Sequence, residues 1–373
     1  MLKLYKETHD DEICIRLHDR IYSMEEDVRG IREKFWLVRT GGVRPKYNEP
    51  LRSINILFKF NRNHVSCEDW GEVYASAIAK KMNIPCVDYF STELYDENEK
   101  LLGNGVLCGS YKKHTKEVEY TGFELQNLHH GLVYDSCKGQ RIGDLNTVDG
   151  FMTAIRDIFG DKADEDDLKI IRNDLIKQAI FDYLLAQTDR HWLNTTFLVT
   201  DIGGTFSIRK ADCYDNGCIA LLKRKITAIE GMSKEIGKLG KDSPYLKERL
   251  SDYCPMFGIK SSSVVIDDRT GKGNLERLKV VDPKANKNKF LDEVADEILM
   301  NPEIAIFFKN LENMQEQGIV ESVTQGLYAA GDNPPTCVAK MIRDVVGCQF
   351  DTLKDRVHTK LRKYKQESER EGM

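Results

Sequence analysis

The sequence predicts an α+β chain of two lobes, a small strand-rich lobe over residues 1–112 and a larger, mainly helical lobe over 113–373. Three observations carry this expectation. The chain has 373 residues, beyond the ~250–300 at which one hydrophobic core stops growing. Its first third holds short runs dense in aliphatic and aromatic residues between turn-forming clusters, the pattern of strands. From about residue 150 the apolar residues recur instead at intervals of three and four, the pattern of helices.

Taken in order, 34–40 and 53–60 read as strands, separated by a glycine turn at Gly41-Gly42 that continues Val43-Arg44-Pro45-Lys46. From Cys67 to Met82 the spacing predicts a helix, with Glu68 and Asp69 in its first turn and Asn83 just past its end. Residues 84–110 return to strand-like segments, with turns expected at Asp96-Glu97-Asn98 and at Gly103-Asn104-Gly105. Leu168, Ile171, Leu175, Ala179 and Tyr183 mark a long amphipathic helix over 165–187. Its acidic start, Asp164 to Asp167, complements the positive helix N-terminus. Strands 195–200 and 205–210 then pair across Asp201-Ile202-Gly203-Gly204. After Gly217 the chain reads as helical to its end, in particular over 286–299 and 349–365, with a frayed tail at 366–373.

Composition narrows the function classes. Hydrophobic residues make up 41% and charged residues 31%, the proportions of a folded globular chain. A net charge of −5 argues against direct nucleic-acid binding through bulk charge. The opening residues, Met1 to Glu12, are too charged for a signal peptide, and no apolar run approaches the ~20 residues of a membrane span. The ten cysteines are scattered with no C-x-x-C, so neither a zinc ribbon nor a redox pair is indicated, and Cys213 and Cys218 read as plain small residues. A reducing, cytoplasmic setting is the expectation.

The residues that point to chemistry are Thr188-Asp189-Arg190-His191-Trp192-Leu193-Asn194, followed by Tyr214-Asp215-Asn216-Gly217. An aspartate, an asparagine five residues on and a second aspartate some twenty beyond match the acidic apparatus of a phosphotransferase. The first carboxylate orients the acceptor hydroxyl and takes its proton; the asparagine and later aspartate hold Mg²⁺ against the transferred phosphoryl group. Lys59 alternates outward from Phe58 and Phe60 on its strand, where its ammonium can reach phosphate oxygens, and Glu72 can pin it from the next helix. Thr40, Gly41 and Gly42 lie just before that strand, where a phosphate-covering loop belongs, with Arg44 and Lys46 adding positive charge. His191 has two readings, a hydrogen bond to the phosphoryl group or a brace for the loop. The run Lys223-Arg224-Lys225 is a solvated charge cluster that an acidic substrate would suit. Asp201-Ile202-Gly203-Gly204-Thr205 is the phosphate motif of actin-like sugar kinases, but 200 residues precede it and no second phosphate strand follows, so it reads as a hairpin.

In this order the motifs resemble those of the HipA-like serine/threonine kinases, including their short secreted-effector relatives of the CtkA type. The resemblance runs from Val38 to Leu221. It rests on Thr-Gly-Gly-Val-Arg-Pro-Lys at 40–46, similar to the family's loop, on Ile-Leu-Phe-Lys-Phe at 56–60, and on the helix 71–85 ending in Asn-Ile-Pro. It is completed by 188–194 and by Ala-Asp-Cys-Tyr-Asp-Asn-Gly at 211–217. The resemblance implies a bilobal protein-kinase-like fold that uses ATP and Mg²⁺. Lys59 would contact the ATP phosphates, Asp189 would act as base, Asn194 and Asp215 would hold the metal, and the adenine would lie near Gly109-Ser110-Tyr111. It also implies a protein substrate, autophosphorylation at Thr40, an antitoxin or host-protein partner, and either a cytoplasmic location or delivery into a host cell without a cleavable signal. Two features depart from the family pattern. Only 39 residues precede Thr40, fewer than the larger toxins carry, and Asp212 stands where the family has proline, so Asp212 or Asp215 is the principal ligand, with Tyr-Asp favouring Asp215. Two rivals stay open: a phosphoinositide kinase, which also uses D-R-H-x-x-N before D-x-G, and a pseudokinase acting as a binding module.

Overall fold

The computed structural model describes residues 1–9, 12–17, 20–26, 33–39, 55–61, 66–112, 116–130, 146–220, 222–240, 243, 244, 246, 250, 253, 255, 257–260, 266–267, 279–280 and 283–371. Thr40, Gly41, Gly42, Arg44 and Lys46 lie outside them. Contacts divide the chain into two compact units. The first comprises Met1–Lys113, Asp212–Lys234 and Ile319–Ile342; the second comprises His114–Ala211, Glu235–Gly318 and Arg343–Met373. The grouping differs from a single cut at 112/113 because the segment after 212 is stitched to the first unit. Cys213 N donates to Pro85 O, and Val87 N to Cys213 O.

The strands of the first unit are β1 (Leu2–His9), β2 (Glu12–Leu17), β3 (Arg20–Glu26), β4 (Lys34–Arg39), β5 (Asn55–Phe60), β6 (Tyr89–Tyr95) and β7 (Leu101–Gly109). They close into a barrel in the order β1-β2-β3-β4-β5-β7-β6, with β6 parallel to β1 and every other pair antiparallel. The strand-rich character is as expected, but closure leaves no open sheet edge. Alternation along each strand fills the interior: Leu4, Ile15, Leu17, Tyr22, Phe35, Leu37, Ile56, Phe58, Phe60, Leu94 and Leu107 form one core. Phe58 sits at its centre, 5.1 Å from Phe35 and 4.8 Å from Phe60 between ring centroids.

Gly103-Asn104-Gly105 corrects the sequence reading, since it lies inside β7 and is not a turn. Gly103, Asn104 and Gly105 pair with Leu94, Glu93 and Thr92, and Gly105 also pairs with Phe60. A Cβ at Gly105 would stand 2.1 Å from Lys59 O. The glycine therefore marks a close approach of backbones. Gly105→Ala is expected to cost about 1–3 kcal/mol of stability, the scale of overpacking. An unchanged chemical-denaturation midpoint would contradict that close approach. The turn at Asp96 is present, with Asp96 Oδ1 accepting from Asn98 N and Lys100 N, both at 2.9 Å.

In chain order the helices are α1 (Glu68–Lys81), α2 (Gly122–His130), α3 (Val148–Phe159), α4 (Glu165–Leu184), α5 (Ile226–Leu239), α6 (Pro283–Met300), α7 (Pro302–Glu316), α8 (Ile319–Ala329) and α9 (Thr336–Glu371). In the first unit α1 packs on β6, β7 and α8, and Tyr74 and Thr324 share a hydroxyl hydrogen bond of 3.0 Å. Asn83, at φ 55°, takes the left-handed conformation that asparagine tolerates and stops α1 close to where the sequence places its end.

The second unit carries β8 (Val118–Thr121), β9 (Thr196–Ile202) and β10 (Thr205–Lys210) in the sheet order β10-β9-β8. The expected hairpin is present: Gly203 and Gly204 adopt φ 66° and 96°, and Asp201 Oδ1 accepts from Gly204 N at 2.8 Å. Helix α4 is capped by Asp164, whose carboxylate accepts from Asp166 N and Asp167 N. Two C-terminal expectations are corrected. A short antiparallel pair, β11 (Ile266–Asp267) and β12 (Lys279–Val280), interrupts the stretch read as helical. Helix α9 also continues to Glu371 where fraying was expected. Along it Arg356 grips Asp292 and Lys360 contacts Asp296 at 2.5 Å. Among the described residues no helix is long and apolar enough to cross a membrane.

Candidate functional site

In the first unit, strand alternation turns Lys59 away from Phe58 and Phe60, as expected. The expected exposure is corrected, because Lys59 is only 6% exposed. Its Nζ lies 3.3 Å from Asp215 Oδ1, 3.8 Å from Glu72 Oε1 and 5.7 Å from the centroid of the Tyr89 ring. Glu72, on α1, is fully buried, and its Oε2 accepts from Asn216 N at 2.6 Å. One carboxylate thus holds both the lysine and the turn that follows it. Asp215 sits at φ 55°, and its N–H donates to Tyr89 Oη at 3.0 Å. Burial pushes the Tyr89 phenol well above its ordinary pKa, so it keeps its proton while accepting that bond.

Gly71 of α1 has a steric reason. A Cβ on Gly71 of α1 would come 2.7 Å from Gly217 O, so helix and turn meet backbone to backbone. Gly109 ends β7 opposite Ile56, Ser110 Oγ accepts from Lys112 N at 3.1 Å, and Tyr111 stacks on Tyr214 at 4.9 Å. The segment 109–111 is therefore tied to the Asp215 segment. Lys225 joins Ser66 in an isolated bridge, with Arg224 and Lys225 exposed.

The lysine is structural. Removing it leaves the buried Glu72 facing Asp215 without their shared cation, and breaking a buried ion pair costs about 3–5 kcal/mol. Lys59→Ala is therefore expected to lose stability and activity together, contrary to the reading of an exposed strand lysine. A melting temperature equal to wild type would refute the burial argument.

In the second unit the loop 189–194 follows α4 and closes on itself. Asn194 Nδ2 donates to Asp189 O at 2.8 Å, Asn194 N to His191 O at 2.8 Å, and Asp189 N to Gln187 Oε1 at 3.2 Å. His191 Nε2 lies 4.0 Å from Asp189 Oδ1 and 3.4 Å from Asn194 Nδ2, between the two candidate residues, a placement compatible with either of its two readings.

Sequence reasoning assigned no role to the group beneath the loop. Arg190 is fully buried; its Nε and Nη2 donate to Asp182 at 2.9 and 3.2 Å, and its Nη1 donates to Asn194 O at 3.0 Å. Asn146 Nδ2 donates to Arg190 O, and Tyr253 Oη donates to Asp182 O and Gln187 O at 3.1 and 2.7 Å. Burial pushes the Asp182 carboxyl up, and the Arg190 guanidinium opposes it. A signal for this pair was present: Asp182 continues the apolar stripe Leu175–Ala179, and a charge on a buried face calls for a partner.

The carboxylates of the Lys59 cluster suit magnesium. Among the described residues no group of three or more His, Cys, Asp or Glu is placed to hold a metal alone. Mg²⁺ needs no such cage, because it keeps several waters and binds through one or two carboxylates plus phosphate oxygens. Two carboxylates against one ammonium leave the Lys59 cluster one negative charge in excess. The Asn194 amide nitrogen is committed to Asp189 O, so its carbonyl oxygen is the atom that would ligate a metal. Lys59, Glu72 and Asp215 are brought together in the first unit, and Asp189, His191 and Asn194 in the second.

No protein-family model matches this chain, and no curated protein sequence matches it. Solved structures do. The Helicobacter pylori proinflammatory kinase CtkA aligns with a TM-score of 0.53 at 13% identity, covering 90% of this chain and 95% of that one. HipA of Shewanella oneidensis MR-1, solved with HipB and its operator DNA, aligns with a TM-score of 0.42 at 11% identity, covering 88% and 67%. The first likeness establishes a shared fold, in keeping with the HipA-like resemblance of the motifs.

Proposed function

We propose that this protein is an ATP- and Mg²⁺-dependent serine/threonine kinase of HipA-like type, which phosphorylates a protein substrate and itself. The observation that supports this most is the buried Lys59 held between Glu72 and Asp215, residues 13 and 156 positions away in sequence, an arrangement in which one ammonium would meet phosphate oxygens. Glu72 orients the lysine and, through Asn216 N, fixes the turn that presents Asp215. Asp189, on a loop pinned by Arg190, orients the acceptor hydroxyl. As the oxygen–phosphorus bond forms and the bond to ADP breaks, the hydroxyl proton passes to its carboxylate. Mg²⁺, held by Asn194 and Asp215, would neutralise charge on the phosphoryl oxygens.

The test offers the full chain radiolabelled ATP and Mg²⁺ with a generic protein and, separately, phosphoinositide vesicles. Label on the protein or on the chain itself is the expected result. Label on lipid alone would replace this reading with that of a lipid kinase. Nucleotide binding without transfer would make the chain a binding module. A HipB-like antitoxin or a host protein as partner belongs to the same proposal.

A further inference from the structure

We infer that Cys86 and Cys213 form a modification site, a disulfide made on exposure to peroxide and reversed by thiols. None of the eight cysteines among the described residues is in a disulfide. Cys86 and Cys213 alone face each other in register, as partners in a parallel bridge. That register is fixed on both sides of Cys86, since Cys213 N donates to Pro85 O at 2.8 Å and Val87 N to Cys213 O at 2.9 Å. Neighbouring strands lie about 4.8 Å apart, inside the Cα separation of about 4.4–6.8 Å that a disulfide spans. Register partners also project their side chains to the same face of the pair.

A second observation selects the attacking sulfur. Asn216 Nδ2 donates to Cys86 Sγ at 3.6 Å, and a donor aimed at sulfur stabilises negative charge developing there. Cys86 is half-buried, whereas Cys213 is buried. Peroxide therefore reaches Cys86 first. The Cys86 thiolate attacks a peroxide oxygen, the O–O bond breaks, and one water leaves after protonation. The resulting sulfenic acid is attacked by the Cys213 sulfur, forming the S–S bond and releasing the second water. Two thiols and one hydrogen peroxide give one disulfide and two waters. Burial pushes Cys67 up to about 12 and Cys108 up to about 11, so both stay protonated and inert.

Closing the bond draws the two Cβ atoms to about 3.8 Å and takes Sγ from Asn216. The backbone of Asn216 is the group that Glu72 holds, and Asp215 precedes it. Oxidation thus pulls on the turn carrying the candidate metal ligand. This consequence, though not the disulfide itself, rests on the kinase reading.

The experiment uses the full chain carrying Cys218→Ser, because Cys218 would otherwise share the tryptic peptide of Cys213. Protein is treated with hydrogen peroxide, blocked with N-ethylmaleimide and digested without reductant. The expected product is a cross-linked pair holding Cys86 and Cys213, two hydrogens lighter than its parts. It should be lost with dithiothreitol and absent from Cys86→Ser, with Cys67 and Cys108 unmodified. Recovery of both residues as maleimide adducts, or of Cys86 as a sulfinic acid without cross-link, overturns the site. Cross-linked protein should transfer phosphate about 10²-fold more slowly, the scale of a small misplacement, and recover on reduction. Unchanged transfer in cross-linked protein overturns the coupling to Asp215. A cross-link in protein that transfers no phosphate even when reduced counts against the kinase reading and leaves the disulfide standing.

Discussion

Replacing Asp189 with asparagine is expected to slow phosphoryl transfer by at least about 10²-fold, the usual worth of a positioned base, with no change in melting temperature. The two halves of this expectation come from different atoms. The loop is held through the Asp189 backbone, whose carbonyl accepts from Asn194 and whose N–H donates to Gln187. Asparagine keeps that backbone, keeps Oδ1 for the approach of His191, and fits the same volume. It cannot take a proton from a hydroxyl. The side chain is partly exposed, so no buried charge is lost. Arg190 is the contrasting position one residue on. Its removal would strand the buried Asp182 carboxylate at a cost of about 3–5 kcal/mol, and activity would fall through the fold. Wild-type transfer by Asp189→Asn would remove this residue from the base role, and a lowered melting temperature would show that its side chain carries structure.

Local signals were legible and long-range ones were not. Helix α1 and the β9–β10 hairpin fall within two residues of where periodicity and turn chemistry place them, because caps and glycine turns act within a few residues. The strands β1–β3 went unread. Ile13 and Ile21 are apolar yet exposed, and Lys6 shares the strand face of Leu2 and Leu4, which blurs the alternation. Barrel closure depends on β1 pairing with β6 across most of a lobe, information that no short window holds. Gly103 and Gly105 resemble a turn because a glycine needed for close approach and a glycine needed for a bend are the same letter. Lys59 was placed on the correct face of its strand, but its covering comes from Glu72 and from Asp215 far along the chain. Arg190 lies inside the motif unassigned because its partner Asp182, although on the apolar stripe of its helix, sits eight residues away and does not by itself name a partner.

Asp215→Ala is expected to abolish Mg²⁺-dependent nucleotide binding while the protein stays folded. The side chain of Asp215 is 35% exposed, whereas that of Glu72 is fully buried, so the two carboxylates beside Lys59 differ in what they support. Removing Glu72 would leave Asn216 N without its acceptor and the lysine without its buried partner. Removing Asp215 leaves one ammonium facing one carboxylate, a neutral pair, and relieves the excess negative charge. Its backbone bond to Tyr89 survives the substitution. Aspartate already carries a Cβ at φ 55°, so alanine adds only the loss of aspartate's better tolerance of that region and of the Lys59 contact. The melting temperature should therefore move little, because relief of charge offsets these losses. Nucleotide affinity should lose its dependence on Mg²⁺ because a hard cation has lost its charged oxygen ligand. Titrating nucleotide with and without Mg²⁺ separates the outcomes. A larger loss in Asp212→Ala than in Asp215→Ala would move the ligand role to Asp212, and a retained magnesium dependence in both variants would remove it from this turn.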